Sequence, residues 1–219
     1  MKVFIAAIFA FIAYHCFVFL PGIKNVIAKK SKNSSFTQHV FQRIAGFVIL
    51  GLIPFWYLNV YNMYQINDST NLEYSTIIIT LILCSLVIFI NNKHTANADN
   101  LVNHPRIKVA AWSKNMIRAN FITWIVFLAA YEWLLRGVLL SSSIDLMPVS
   151  FAIGVNVFIY ALMHCNSKEE ALGSIPFGIV LCLLTLYSQS IYPAIILHCT
   201  FAVSFESYCI RRKALPVKN

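Results

Sequence analysis

The 219-residue chain is 59% hydrophobic and only 11% charged, where soluble domains carry about 25% charged residues. With a mean hydropathy of +0.70, this excludes an ordinary cytosolic fold, a disordered chain and a fibrous repeat, and points to a single integral membrane domain over residues 1–219. The 17 Lys+Arg against 8 Asp+Glu give a formal net charge of +9, which suits cytoplasmic loops facing anionic membrane lipids and no nucleic-acid partner.

A helix needs about 20 mainly apolar residues to cross the hydrocarbon core. Val3–Leu20 comes first; with only Lys2 ahead of it and no small-residue cleavage site behind, it predicts a retained helix, not a secretory signal. His15, beside Tyr14, reads as a packing or interfacial group. Ile44–Tyr61 follows, with Trp56 and Tyr57 as interfacial anchors, and then Tyr74–Ile90. Within the long basic segment 91–120, Arg106–Met116 predicts an amphipathic helix on the inner surface, with Trp112 as its anchor. Phe121–Leu140, Leu146–Met163, Ala171–Tyr187 and Ile191–Ile210 complete an all-α polytopic bundle of about seven transmembrane helices.

Charge alternates between these runs. Lys24, Lys29, Lys30, Lys32 and Arg43 lie between the first two, and Asp68 and Glu73 follow the second. Lys93, Arg106, Lys108, Lys114 and Arg118 precede the fourth, Asp145 follows it, and Arg211, Arg212 and Lys213 follow the last. The positive-inside rule then puts the N-terminus outside and the C-terminus in the cytoplasm of a multi-pass cell-membrane protein. The six cysteines, Cys16, Cys84, Cys165, Cys182, Cys199 and Cys209, show no CxxC spacing and read as small buried hydrophobes.

Ionisable groups within the hydrocarbon are costly and mark function by default. Residues 121–210 hold nearly all of them: Glu132, Arg136, His164, His198 and Glu206. Glu132 and Arg136, four apart, share a helix face. They are either a self-neutralising ion pair or a carboxylate that Arg136 orients to activate water. Asn156, Tyr160 and His164 share a face of the next helix, and His198, Ala202 and Glu206 a face of the last. Glu206 lies near the cytoplasmic end, where Arg211 or Arg212 is its expected partner. The aspartates Asp68, Asp99 and Asp145 all lie in loops, which removes an aspartyl dyad. No HExxH occurs, and Ser141, Ser142 and Ser143 have neither a GxSxG context nor a histidine at useful spacing. A glutamate and two histidines from three helices remain, a set that activates water directly or holds zinc as a His₂Glu site. No cofactor is called for by the sequence itself.

In order, Tyr131-Glu132-Trp133-Leu134-Leu135-Arg136-Gly137, Tyr160-Ala161-Leu162-Met163-His164 and His198-Cys199-Thr200-Phe201-Ala202 resemble the EExxxR, FxxxH and HxxxN motifs of the CPBP family of intramembrane proteases (CAAX proteases and bacteriocin-processing enzymes, also called the Abi family). The resemblance covers about Phe121–Phe205. Two positions depart from it. Tyr131 stands where the family has its water-activating glutamate, and Ala202 where it has an asparagine that helps bind the oxyanion.

The resemblance implies a glutamate-type intramembrane endopeptidase. Glu132 becomes the base, His164 hydrogen-bonds it, His198 stabilises the oxyanion and Arg136 pairs with the ionised Glu132. Tyr131 or Tyr160 supplies a donor in place of the missing amide, with Asn156 and Glu170 in support. Lys168-Glu169-Glu170 reads equally as a solvated first turn of the following helix. Substrates implied are membrane-anchored: a prenylated CAAX tail, a leader peptide or a C-terminal sorting helix. One rival is a non-catalytic relative that binds a peptide or bacteriocin and confers immunity. Another is a small transporter using Glu132 and Arg136, although the repeated halves of such folds are missing. Depth adds a requirement. Glu132 sits about 20 Å above the inner surface, His164 near the inner edge and His198 in the outer half, so a shared site needs longer or strongly tilted helices.

Overall fold

The computed structural model describes residues 1–19, 34–60, 72–97, 107, 109, 111–164 and 168–213. Among the described residues the chain forms seven helical rods and no strand. They are α1 (Lys2–Phe19), α2 (34–60), α3 (Tyr74–His94), α4 (Lys114–Ile144), α5 (Val149–Leu162), α6 (Lys168–Ser188) and α7 (Tyr192–Lys213). Five of them, α2, α3, α4, α6 and α7, are long and apolar enough to cross a membrane, while α1 and α5 are apolar but shorter. The protein is a multi-pass helical membrane protein, with its backbone polar groups satisfied within the helices.

Local chemistry sets the helix ends. Ser113 caps α4, its hydroxyl accepting from the Met116 amide at 3.2 Å. Pro148 precedes α5 and Pro193 sits in the first turn of α7, where the missing N–H is no loss. Glu169 and Glu170 open α6, and Arg211, Arg212 and Lys213 close α7, each complementing the local helix dipole. The chain reverses between α6 and α7 through Gln189 in the left-handed region, φ 49°.

Two rods contain π-helical runs, Phe47–Leu52 in α2 and Trp133–Leu140 in α4. The second forms the centre of the molecule: Leu134, Leu135 and Leu139 are fully buried there with Leu50 of α2, Leu181 of α6 and Leu197 of α7. Outward-facing Phe9, Trp56, Leu81, Phe151 and Leu172 give the bundle the apolar surface that lipid requires. Gly178 allows α6 to approach α5 closely, because a Cβ there would stand 2.9 Å from Tyr160 Cδ1. The other end of the bundle is pinned by Asn91 of α3, which donates to Phe201 O at 2.9 Å and Ser204 Oγ at 2.8 Å.

Two boundaries correct the expectations. Helix α2 starts at residue 34, well before Ile44, and so carries Arg43 into the bundle. Helix α4 starts at Lys114, so Lys114–Met116 form its first turn and do not belong to a separate surface helix. Hydropathy alone stops at such polar residues, but a partnered Arg or a solvated first turn does not interrupt a helix. Of the rest of the expected surface helix, Ile107, Val109 and Ala111–Ser113 are described and are not helical, while Arg106, Lys108 and Ala110, together with Lys24, Lys29, Lys30, Lys32, Asp68, Asp99 and Cys165, lie outside the described residues. The five described cysteines are free thiols.

Candidate active site

Helix α4 delivers Glu132 and Arg136 to the centre of the bundle, with 0% and 1% of their surface exposed. Arg136 Nη1 donates to Glu132 Oε1 at 2.9 Å. From α7, His198 Nδ1 stands 2.5 Å from the same oxygen, and its Nε2 faces the Tyr160 hydroxyl of α5 at 3.5 Å. The Arg136 guanidinium lies over the Tyr160 ring, 4.7 Å from its centroid. Tyr131 closes one side, 6.0 Å from the Tyr160 ring and 6.1 Å from that of His198. Phe177 of α6 closes another, edge-on to His198 at 5.7 Å.

Within this enclosure four buried polar atoms have no hydrogen-bond partner among the described residues: Glu132 Oε2, Tyr131 Oη, Arg136 Nε and Arg136 Nη2. The Cys182 thiol lies beside Arg136 but is only a weak acceptor. Glu132 therefore has one oxygen held from two sides and one oxygen without a partner. A carboxylate so held, beside phenol and imidazole groups, can accept a proton at its open oxygen.

The π-helical run explains why Asn156 is needed. It breaks the regular hydrogen-bond ladder of α4, and Asn156 Nδ2 donates to the Leu135 carbonyl at 2.7 Å. The Asn156 Oδ1 in turn accepts from Cys182 Sγ at 3.3 Å. Asn156, one turn before Tyr160 on α5, thus braces the helix that bears Glu132. His164 itself follows the last residue of α5, is half-buried and packs on Tyr160 with ring centroids 4.9 Å apart. His198, not His164, is the histidine on the Glu132 carboxylate.

The 31 residues of α4 place Glu132 about 18 Å from the Ile144 end. His198 lies about 9 Å along α7 from Tyr192 and touches Glu132 directly, whereas His164 reaches this group through its ring contact with Tyr160. Ala202, one turn past His198, is buried and offers no polar atom. Glu170 is half-buried and Glu169 exposed in the first turn of α6, the placement of a helix-terminal cap. Ser141 and Ser143 donate back to the Gly137 and Leu139 carbonyls, which accounts for their hydroxyls.

Sequence reasoning missed a second polar cluster. Arg43 Nη1 donates to Asn120 O at 3.1 Å and Asn120 Oδ1 at 2.6 Å, and the guanidinium lies 4.3 Å over the Trp124 ring. Glu206, buried on α7, is electrostatically coupled to this Arg43. Arg212, an expected partner of Glu206, instead donates to Asn92 Oδ1 at 2.7 Å. The available signal was the i, i+4 spacing of Asn120 and Trp124, which places a polar and an aromatic group on one face.

No three His, Cys, Asp or Glu side chains among the described residues stand as metal ligands together. Glu132 and His198 hold each other, and His164 packs on Tyr160.

Residues 110–204 match the family model of type II CAAX prenyl endopeptidase Rce1-like proteins. The match includes Glu132, Arg136, Tyr160, His164 and His198, and it bears out the resemblance drawn from the three motifs: this segment is similar to membrane-embedded CAAX proteases. No curated protein and no solved structure matches the chain.

Proposed function

We propose that the chain is an intramembrane endopeptidase of the CAAX-protease type, hydrolysing a peptide bond in a membrane-anchored substrate. The observation that carries the reading is the fully buried Glu132 carboxylate, with Oε1 held by Arg136 and His198 and Oε2 without a partner. A water at Oε2 gives its proton to the carboxylate as its oxygen attacks the scissile carbonyl. His164, at the end of α5 beside Tyr160, orients that water. His198, held at Nδ1 by Glu132, turns Nε2 from its long contact with Tyr160 to the developing oxyanion and stabilises it there. Arg136 balances the carboxylate charge in a site walled off from bulk water. The reading uses no metal.

Similarity to prenyl endopeptidases supports a prenylated CAAX tail as the first substrate to try, ahead of a leader peptide or a sorting helix. The cationic end of α7 supports a cytoplasmic C-terminus. A second reading, a non-catalytic relative that binds a peptide, draws its support from Tyr131 and Ala202, the two departures from the family motifs.

The test is cleavage of a prenylated CAAX peptide by the purified protein in liposomes. Glu132→Gln and His164→Ala, made separately, are each expected to slow it by about 10²–10⁴-fold. Undiminished cleavage by both variants ends the enzymatic reading. Binding of the peptide by wild type without cleavage favours the second.

A further inference from the structure

The sequence leaves open whether Tyr131 or Tyr160 replaces the missing amide donor, and Tyr131 is built into the centre of the site. Tyr131 is 3% exposed, and its ring is held edge-on by Phe11 at 5.7 Å and flanked by Phe127 at 5.8 Å. Ring packing alone would be served equally by phenylalanine. The hydroxyl is instead buried without a partner, a costly arrangement unless something completes it. It shares the electrostatic neighbourhood of Glu132, Arg136 and Tyr160.

Of the four unpartnered atoms, the two outside the guanidinium have opposite and complementary roles. Glu132 Oε2 is an acceptor and matches the O–H of an attacking water. Tyr131 O–H is a donor and matches a carbonyl oxygen. Ala202, buried one turn past His198, has no polar side-chain atom. The amide donor of the third motif is therefore absent, while a phenol donor without a partner stands at the first.

The geometry points to Tyr131 as a catalytic residue of this site, its phenol donating a hydrogen bond to the oxyanion of the tetrahedral adduct. The inference rests on the hydrolytic reading above. In the addition step the water O–H bond breaks and its proton passes to Glu132 Oε2. The C–O bond forms as the carbonyl π pair moves onto oxygen, which accepts from Tyr131. In the collapse step that pair re-forms the carbonyl, the C–N bond breaks, and Glu132 returns the proton to the departing nitrogen. The products are a carboxylic acid and an amine, and Tyr131 keeps its proton throughout.

The test uses the full-length protein in liposomes and a fluorogenic farnesylated CAAX peptide, with the corresponding peptide aldehyde as a probe whose hydrate mimics the adduct. Tyr131→Phe is expected to lower kcat by about 10²–10³-fold, the effect of removing one oxyanion donor, with KM little changed. Aldehyde affinity should fall by a similar factor, and thermal stability should hold, since phenylalanine preserves the ring contacts. Unchanged kcat in Tyr131→Phe, with Glu132→Gln inactive, overturns the role of Tyr131 and leaves the protease reading intact. A loss that appears in KM alone, or that tracks a lowered unfolding temperature, makes Tyr131 a packing residue and equally overturns it. Wild-type protein that neither cleaves the peptide nor binds the aldehyde overturns both.

Discussion

Replacing Arg136 with methionine removes the cation while keeping an unbranched stem of similar length. It leaves the Glu132 carboxylate, 0% exposed, with His198 as its one remaining partner at 2.5 Å. Breaking one side of a buried ion pair costs about 3–5 kcal/mol, because the other charge stays desolvated and uncompensated. For a chain of this size that corresponds to a drop of about 6–20 °C in the unfolding midpoint. Glu132→Gln alone carries a penalty of the same kind, since it strands the guanidinium over the Tyr160 ring. The double variant strands neither charge, and should recover at least about 2 kcal/mol relative to Arg136→Met alone. Unfolding in detergent micelles can be followed with a thiol-reactive dye, because Cys182 and Cys209 are fully buried and free. An Arg136→Met midpoint within about 2 °C of wild type, or strictly additive losses in the double variant, would refute the buried-pair argument.

Further predictions follow from other contacts. Gly178→Ala places a Cβ 2.9 Å from Tyr160 Cδ1, a ring already fixed by Arg136 and His198. It should destabilise by about 1–3 kcal/mol and slow cleavage as Tyr160 shifts; a neutral result in both measurements would mean that α5 and α6 pack more loosely than described. Asn156→Leu leaves the Leu135 carbonyl unpaired, and should cost about 1–3 kcal/mol in the same thermal assay. Arg43→Met strips Asn120 of both hydrogen bonds and leaves Glu206 without that cation. It should lower the midpoint by several degrees while leaving KM unaltered, because this cluster lies well away from Glu132. Cleavage should survive 1,10-phenanthroline, as the proposed mechanism has no metal step; inhibition reversed by added zinc would contradict it.

Much of the site was legible because polar groups inside an apolar run have so few acceptable surroundings. The i, i+4 spacing of Glu132 and Arg136 predicts the contact found at 2.9 Å, and the one-turn spacing of Tyr160 and His164 predicts their edge-to-face rings. What sequence could not supply was the pairing between helices. Nothing in local spacing says that His198 rather than His164 meets Glu132, since that depends on where α4 ends and how far α7 descends. Arg43 was misplaced for a related reason: a charge beside an apolar run looks like a loop until its partners, Asn120 and Trp124, arrive from another helix. The function of Asn156 was hidden as well, because it answers a carbonyl that a regular α4 would not have freed.

The run Trp133–Leu140 gives α4 a bookkeeping of its own. The residues before it and those after it belong to separate helical phases, joined by a stretch that absorbs the mismatch. Because a π-helical turn takes in more residues than an α turn, removing a single residue from the run would let it contract towards α-helix and leave Ser141–Ile144 and the link into α5 close to their present neighbours. A deletion in a regular helix has no such slack and turns everything beyond it by about 100°. This stretch of α4 should therefore accept a change of one in its residue count more readily than the helix around it, while the side chains it carries, Arg136 among them, are fixed by what they touch.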